Sequence, residues 1–108
     1  MRTIILTLFR AETETGMSRL ALSDADKLAR DWFRDTTTSL GCTVKVDAMG
    51  NQFAVRPGRK EGLPTCAGSH LDTQPAGGRY DGILGVTAAV EMLRVLHEEK
   101  VETEVRNT

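Results

Sequence analysis

His70 to Asp81 constrain this chain more than any other stretch. They lie inside Gly68-Ser69-His70-Leu71-Asp72-Thr73 and Gly77-Gly78-Arg79-Tyr80-Asp81-Gly82. Before them, Pro64 to Ser69 reads as a strand, with small residues that allow close packing. After them, Gly82 to Glu99 reads as a helix, because Ile83, Val86, Val90, Leu93 and Leu96 form an apolar stripe. Strand, glycine-rich loop and helix in that order let an α/β protein present polar side chains at the carboxyl end of a sheet.

The other elements follow from local signals. Ser23 before Asp24 and Asp26 is a helix start: the hydroxyl caps free N–H groups and the acids favour the positive dipole end. Leu28, Ala29, Trp32, Phe33 and Leu40 recur at helical spacing, and Gly41 ends the helix. Cys42 to Val46 and Gln52 to Arg56 read as a hairpin around an Asp47–Asn51 turn. Pro57 to Gly62 is a charged loop, and Val101 to Arg106 alternates like the start of another strand. Thr13 to Gly16 reads as polar loop, and Ile4 to Phe9 as a short apolar strand or helix.

Bulk properties narrow the function classes. With 108 residues the chain is at most one domain. It is 40% apolar and 27% charged with a net charge of −1, the signs interspersed. No basic patch points to nucleic acid, and no polybasic block or long apolar run points to a membrane. Cys42 and Cys66 lie outside any C-x-x-C pair, and both read as reduced, buried thiols of a cytoplasmic protein.

The central stretch holds the chemistry. His70 and Asp72 are two apart at a strand end, which puts them on one face. Imidazole is a good ligand for zinc and similar divalent ions, and a nearby carboxylate can hold its other ring nitrogen. Asp81, brought back by Gly77, Gly78 and Gly82, has two oxygens and can bridge two ions. Each residue alone has a plain alternative. Asp81 can cap the following helix, His70 can be a hydrogen-bonded strand-end histidine, and Asp72-Thr73 can form an Asx turn. Together they favour a metal site.

With these residues in view, the chain resembles the M20-type metallohydrolases. Asp81-Gly82-Ile83-Leu84-Gly85-Val86 points to their hydantoinase/carbamoylase branch, which includes N-carbamoyl-L-amino acid hydrolases, β-ureidopropionases and allantoate amidohydrolases. Ser18 to Ser23, Ala29 to Phe33 and Asp47 to Asn51 extend the likeness to roughly residues 13–106. The resemblance implies an α/β fold: the N-terminal part of a di-metal aminopeptidase-like catalytic domain, a mixed sheet with two long helices. It implies residues 1–12 as an atypical start and 13–108 as a partial catalytic domain without the lid or dimerisation domain. His70 would ligate one metal, Asp81 would bridge two, and Asp72 would play a catalytic part by orienting or tuning His70. The cofactors would be two divalent ions, zinc or manganese, or else cobalt or nickel. The substrate would be a small N-carbamoyl or ureido compound, and complete family members would be homodimers.

The sequence departs from the family where the Glu-Glu general base and two further histidine ligands are expected, after the strand near Val101. Glu98-Glu99 and His97, at a helix end, read as solvated surface instead. The expectation is therefore a hydrolase fragment inactive or nearly so by itself. The alternative is a non-catalytic truncated form that associates with a full-length relative, or a by-product of gene prediction or splicing. A phosphate cradle fits poorly: the loop lacks a P-loop signature, and Asp81 would repel phosphate.

Overall fold

The computed structural model describes residues 12–13 and 16–108. The chain runs β1 (Glu12–Thr13), β2 (Gly16–Met17), α1 (Asp24–Ser39), β3 (Thr43–Val46), β4 (Gln52–Val55) and α2 (Ile83–Glu98). The apolar run Ile4 to Phe9 lies outside the described residues.

Helix α1 is bounded by its own sequence. Ser23 is extended, and its hydroxyl accepts the Asp26 N–H at 3.2 Å. The Asp26 carboxylate accepts the Leu22 N–H at 3.1 Å in return. At the other end Gly41 adopts φ +82°. The Cys42 N–H then reaches Thr37 O, and the Gly41 N–H reaches Thr38 O. This paired closure satisfies carbonyls that a helix end leaves free. Buried Ala29 and Thr37 mark its inner face, whereas Leu28, about 100° away, is exposed.

Strands β3 and β4 pair antiparallel, from Thr43 opposite Val55 to Val46 opposite Gln52. One side chain organises their turn. Asp47 Oδ1 accepts the N–H groups of Met49 and Asn51, and Oδ2 accepts the Asn51 amide, each at 2.9 Å. Arg30 donates to Gly50 O at 2.6 Å and ties α1 to the hairpin tip. Cys42, Ala54 and Leu93 form the buried core, with Phe33, Leu40 and Val44 packed against it. Helix α2 contributes Ile83, Val86, Val90 and Leu93 to its buried side, one turn apart as the stripe requires.

The sheet extends beyond the hairpin by short pairings. Arg56 and Asn107 exchange N–H···O bonds at 2.9 and 3.0 Å. On the other side of Asn107, Thr65 pairs in parallel: its N–H meets Arg106 O, Thr108 N–H meets Thr65 O, and Ala67 N–H meets Thr108 O. The order is thus β3, β4, 106–108, 65–67, with antiparallel and parallel neighbours in one mixed sheet.

Four expectations change. Pro64 to Ser69 is not a continuous strand, because Thr65 alone carries a ladder bridge. Val101 to Arg106 is not one either. Lys100 has φ +53°, and the loop after Pro57 lies over 103–105, with Arg59 and Lys60 donating to Thr103 O and Glu104 O. Thr13 to Gly16 is not simply a loop, since Glu12–Thr13 pairs with Gly16–Met17. Cys66 is exposed rather than buried, because only its backbone neighbours are paired; Cys42 is buried, and both thiols are free. Among the described residues no helix is long and apolar enough to cross a membrane.

Candidate metal centre

The 65–67 segment, parallel to 106–108, leads straight into Gly68 to Asp72. The three acid–base residues therefore sit at the carboxyl end of the parallel pair, the usual location of ligand sites in open α/β sheets. The 71–82 loop then folds back and delivers Asp81 to the start of α2.

Gly82 makes that return possible. It caps α2 with φ +73°, a conformation that disfavours a side chain. A Cβ there would lie 2.4 Å from His70 O and 2.5 Å from His70 Nδ1. One turn on, a Cβ at Gly85 would sit 2.9 Å from the Ser69 Cβ. The first turn of α2 is thus pressed onto Ser69 and His70. Of the other loop glycines, Gly77 and Gly78 do not take positive φ; Ala76 does, at +55°. Gly77 serves by close packing, pairing with Met17 by two main-chain bonds of 2.8 and 3.0 Å.

His70 stands between two carboxylates. Its Nδ1 is 2.8 Å from the Asp72 main-chain O and 3.4 Å from Asp72 Oδ1. Its Nε2 is 3.7 Å from Asp81 Oδ1, too far for a hydrogen bond. A carbonyl oxygen only accepts, so Nδ1 carries the proton in the neutral ring and Nε2 keeps its lone pair. That lone pair and the Asp81 carboxylate are therefore separated by a gap. Two ligand bonds of about 2.0–2.2 Å can span it around one ion, so these residues fit a metal. The site is open: the His70, Asp72 and Asp81 side chains are 48%, 46% and 69% exposed.

The plain alternative for Asp81 fails. No side chain caps α2, and Asp81 meets the helix only through its carbonyl, which accepts the Ile83 N–H at 2.9 Å. Its carboxylate is not engaged at the helix N-terminus. Among the described residues, no group of three or more His, Cys, Asp and Glu side chains is placed to hold a metal. His97 and Glu98-Glu99, at the far end of α2, are exposed.

Arg19 and Thr73 support the site, a role that lying in family-like stretches does not by itself announce. Arg19 is 3% exposed and Thr73 5%. Arg19 Nε donates to Leu71 O at 2.8 Å, its main-chain N–H donates to Thr73 Oγ1 at 2.8 Å, and its carbonyl accepts the Thr73 N–H at 2.7 Å. Burial lowers the Arg19 guanidinium below its ordinary pKa, opposed by the charges of Asp26 and Asp72.

No protein-family model matches the chain. Individual relatives do. It is 42% identical over 89 residues to an N-carbamoyl-L-amino-acid amidohydrolase of Rhizobium meliloti, covering 82% of this chain and 21% of that protein. It is 37% identical over 92 residues to a ureidoglycolate hydrolase of Arabidopsis thaliana, covering 84% and 19%. In three dimensions it superposes on a hydantoinase/carbamoylase family amidase from Burkholderia vietnamiensis with a TM-score of 0.91 and 43% identity, over 98% of this chain and 26% of the other. The chain belongs to the hydantoinase/carbamoylase family. It spans about a fifth of the length of the curated relatives it matches. The family is one of amidohydrolases, as the names of these relatives state, and the α/β arrangement seen here matches part of its fold.

Proposed function

We propose that this chain carries the first metal-holding elements of an amidohydrolase that cleaves C–N bonds in small N-carbamoyl or ureido compounds. The observation that carries the reading is the His70 Nε2 lone pair facing the Asp81 carboxylate across 3.7 Å, with the other ring nitrogen tied to Asp72. His70 would hold one divalent ion and Asp81 would reach two, with zinc or manganese the expected metals. When bound, such ions polarise the scissile group and lower the pKa of water. This chain's own part is narrower. The Asp72 carbonyl holds the proton on Nδ1, which keeps Nε2 available. The first turn of α2 fixes where Asp81 stands. Asp72 is the orienting residue, through its main chain first and its carboxylate at longer range.

With two candidate ligands and no third among the described residues, the isolated chain turns over little or no substrate. Residues 13–108 act as part of a catalytic domain, and the complete enzyme is a homodimer. The unpaired Cys42 and Cys66 support a reducing, cytoplasmic setting. A chimera tests the reading: this chain replaces the matching fifth of the Rhizobium meliloti relative. We expect hydrolysis of an N-carbamoyl amino acid by the chimera and its loss in His70→Ala and Asp81→Asn. A folded chimera whose activity survives both changes would rule the proposal out.

A second reading, association with a full-length relative, is favoured by one feature. Leu84, Met92 and Val95 are 62%, 40% and 44% exposed along one side of α2. A helix apolar on two sides is suited to burial on both. Sedimentation of the chain as a stable monomer, alone and mixed with such a relative, would count against this reading.

A further inference from the structure

We propose that Arg19 is a positioning residue for His70: it fixes the peptide that sets the imidazole tautomer, and so keeps the Nε2 lone pair turned to Asp81. The inference rests on the metal reading of His70 and Asp81. It concerns a residue 51 positions away in sequence, outside the motif itself.

The Asp72–Thr73 peptide links His70 to Arg19. Its C=O accepts from His70 Nδ1 at 2.8 Å, and its N–H donates to Arg19 O at 2.7 Å. In a trans peptide these two groups point in opposite directions. The plane is therefore held from both sides, by His70 on one and Arg19 on the other. The preceding peptide is held as well, because the guanidinium Nε donates to Leu71 O at 2.8 Å. Arg19 thus grips two consecutive planes with its main chain and side chain together. Thr73 Oγ1 closes the arrangement, accepting the Arg19 N–H at 2.8 Å and lying 3.3 Å from Met17 O.

Chemistry explains why this matters at His70. A metal binds an imidazole nitrogen that has no proton, and the partner of the other nitrogen decides which one that is. Here the partner is the Asp72 carbonyl, whose direction depends on the clamped peptides. The Asp72 carboxylate is the weaker anchor, at 3.4 Å and half exposed. A residue needed only to attach β2 to the loop would not have to be charged, since main-chain bonds between Met17 and Gly77 already do that. Burying a guanidinium is costly. Its direct bond to Leu71 O and its proximity to Asp72 give it a specific task.

The experiment uses the 108-residue chain with 15N-labelled histidine, at a pH where the ring is neutral. Two-bond 1H–15N correlations show which nitrogen of His70 bears the proton, and exposed His97 serves as internal reference. We expect wild-type His70 to be Nδ1–H. Arg19→Gln should lower the Nδ1–H to Nε2–H ratio by about fivefold, the scale of one net hydrogen bond. Arg19→Lys keeps the charge without the fixed fork and should lower the ratio by about twofold. Cys42→Ala, which loosens the core elsewhere, should leave it unchanged. If Arg19→Gln does not fold, Arg19→Lys is read in its place. A wild-type ratio in the folded Arg19 variants, an Nε2–H proton in the wild type, or an equal shift in Cys42→Ala would overturn the proposal. Zinc titration of the wild type separates the two readings. No zinc response at His70 removes the metal reading, while a zinc response with an unmoved tautomer in the Arg19 variants removes only the role of Arg19.

Discussion

Gly82→Ala tests the packing that places the site. Two costs arise at this position. An alanine at φ +73°, ψ −56° lies outside the left-handed helical well, in a strained region, and pays about 1–3 kcal/mol. Its Cβ would also stand 2.4 Å from His70 O, a backbone atom that cannot swing aside. Forcing a methyl into packed structure costs about 1–3 kcal/mol. The variant should lose about 2–6 kcal/mol in all, a large share of the roughly 5–15 kcal/mol typical of a domain. Gly50→Ala is the matched control, because Gly50 has φ +88° with nothing within 4 Å of a built Cβ. It should lose only the conformational part, about 1–2 kcal/mol. Urea unfolding of both variants and the wild type measures the difference, with m values expected near 1–3 kcal/mol/M. Equal losses in the two variants would refute the claim that α2 is pressed against His70.

Three further outcomes are expected. Asn51 hydrogen bonds, the side-chain one foremost, hold the exposed Asp47 carboxyl below the usual carboxylate range. A depressed folded pKa stabilises above the unfolded value of about 3.9 and loses that contribution as pH falls through the folded one. The destabilisation caused by Asn51→Ala should therefore be full near neutral pH and shrink toward pH 2–3, as pH-dependent urea curves would show; a pH-independent loss contradicts it. Cys66 should react with a thiol reagent at once and Cys42 only on unfolding, since Cys42 is buried and burial raises its pKa, with Arg56 opposing; equal rates in native buffer would contradict the placement. Arg94, bonded to Glu91 and Glu98 on exposed helix surface, is expected to matter little: Arg94→Ala should lower the thermal midpoint by only a few degrees beyond propensity effects, and a loss larger than that of Gly50→Ala would contradict it.

Much of the fold is legible in the sequence because its signals are local. Ser23 and Gly41 bound α1 through contacts within five residues, and Asp47 builds its turn through residues 49–51. The stripe from Ile83 to Leu93 marks the buried side of α2 for the same reason. The motif also announces which residues meet, since the strand–loop–helix order returns Asp81 to His70. What the sequence hides depends on distant partners. The clamp of Arg19 on Thr73 spans 54 residues. Asn107 pairs with Arg56 and Thr65 at once, and neither neighbourhood advertises the other. Cys66 looks like a core thiol by composition, but its segment is paired along one side only. The use of the Asp72 carbonyl rather than its carboxylate as the nearest partner of Nδ1 is likewise a matter of backbone direction, which residue type does not encode.

The central claim is that His70 and Asp81 hold a divalent ion between them. Titrating the 15N-labelled chain with manganese tests it most directly, because the paramagnetic ion broadens only nearby amides. Broadening should be strongest at residues 68–72 and 80–85 and fall off with distance through Arg19 and Thr73, which pack on that loop; it should be absent in His70→Ala and weakened in Asp81→Asn. A maximum of broadening elsewhere, or an unchanged pattern in His70→Ala, would contradict it.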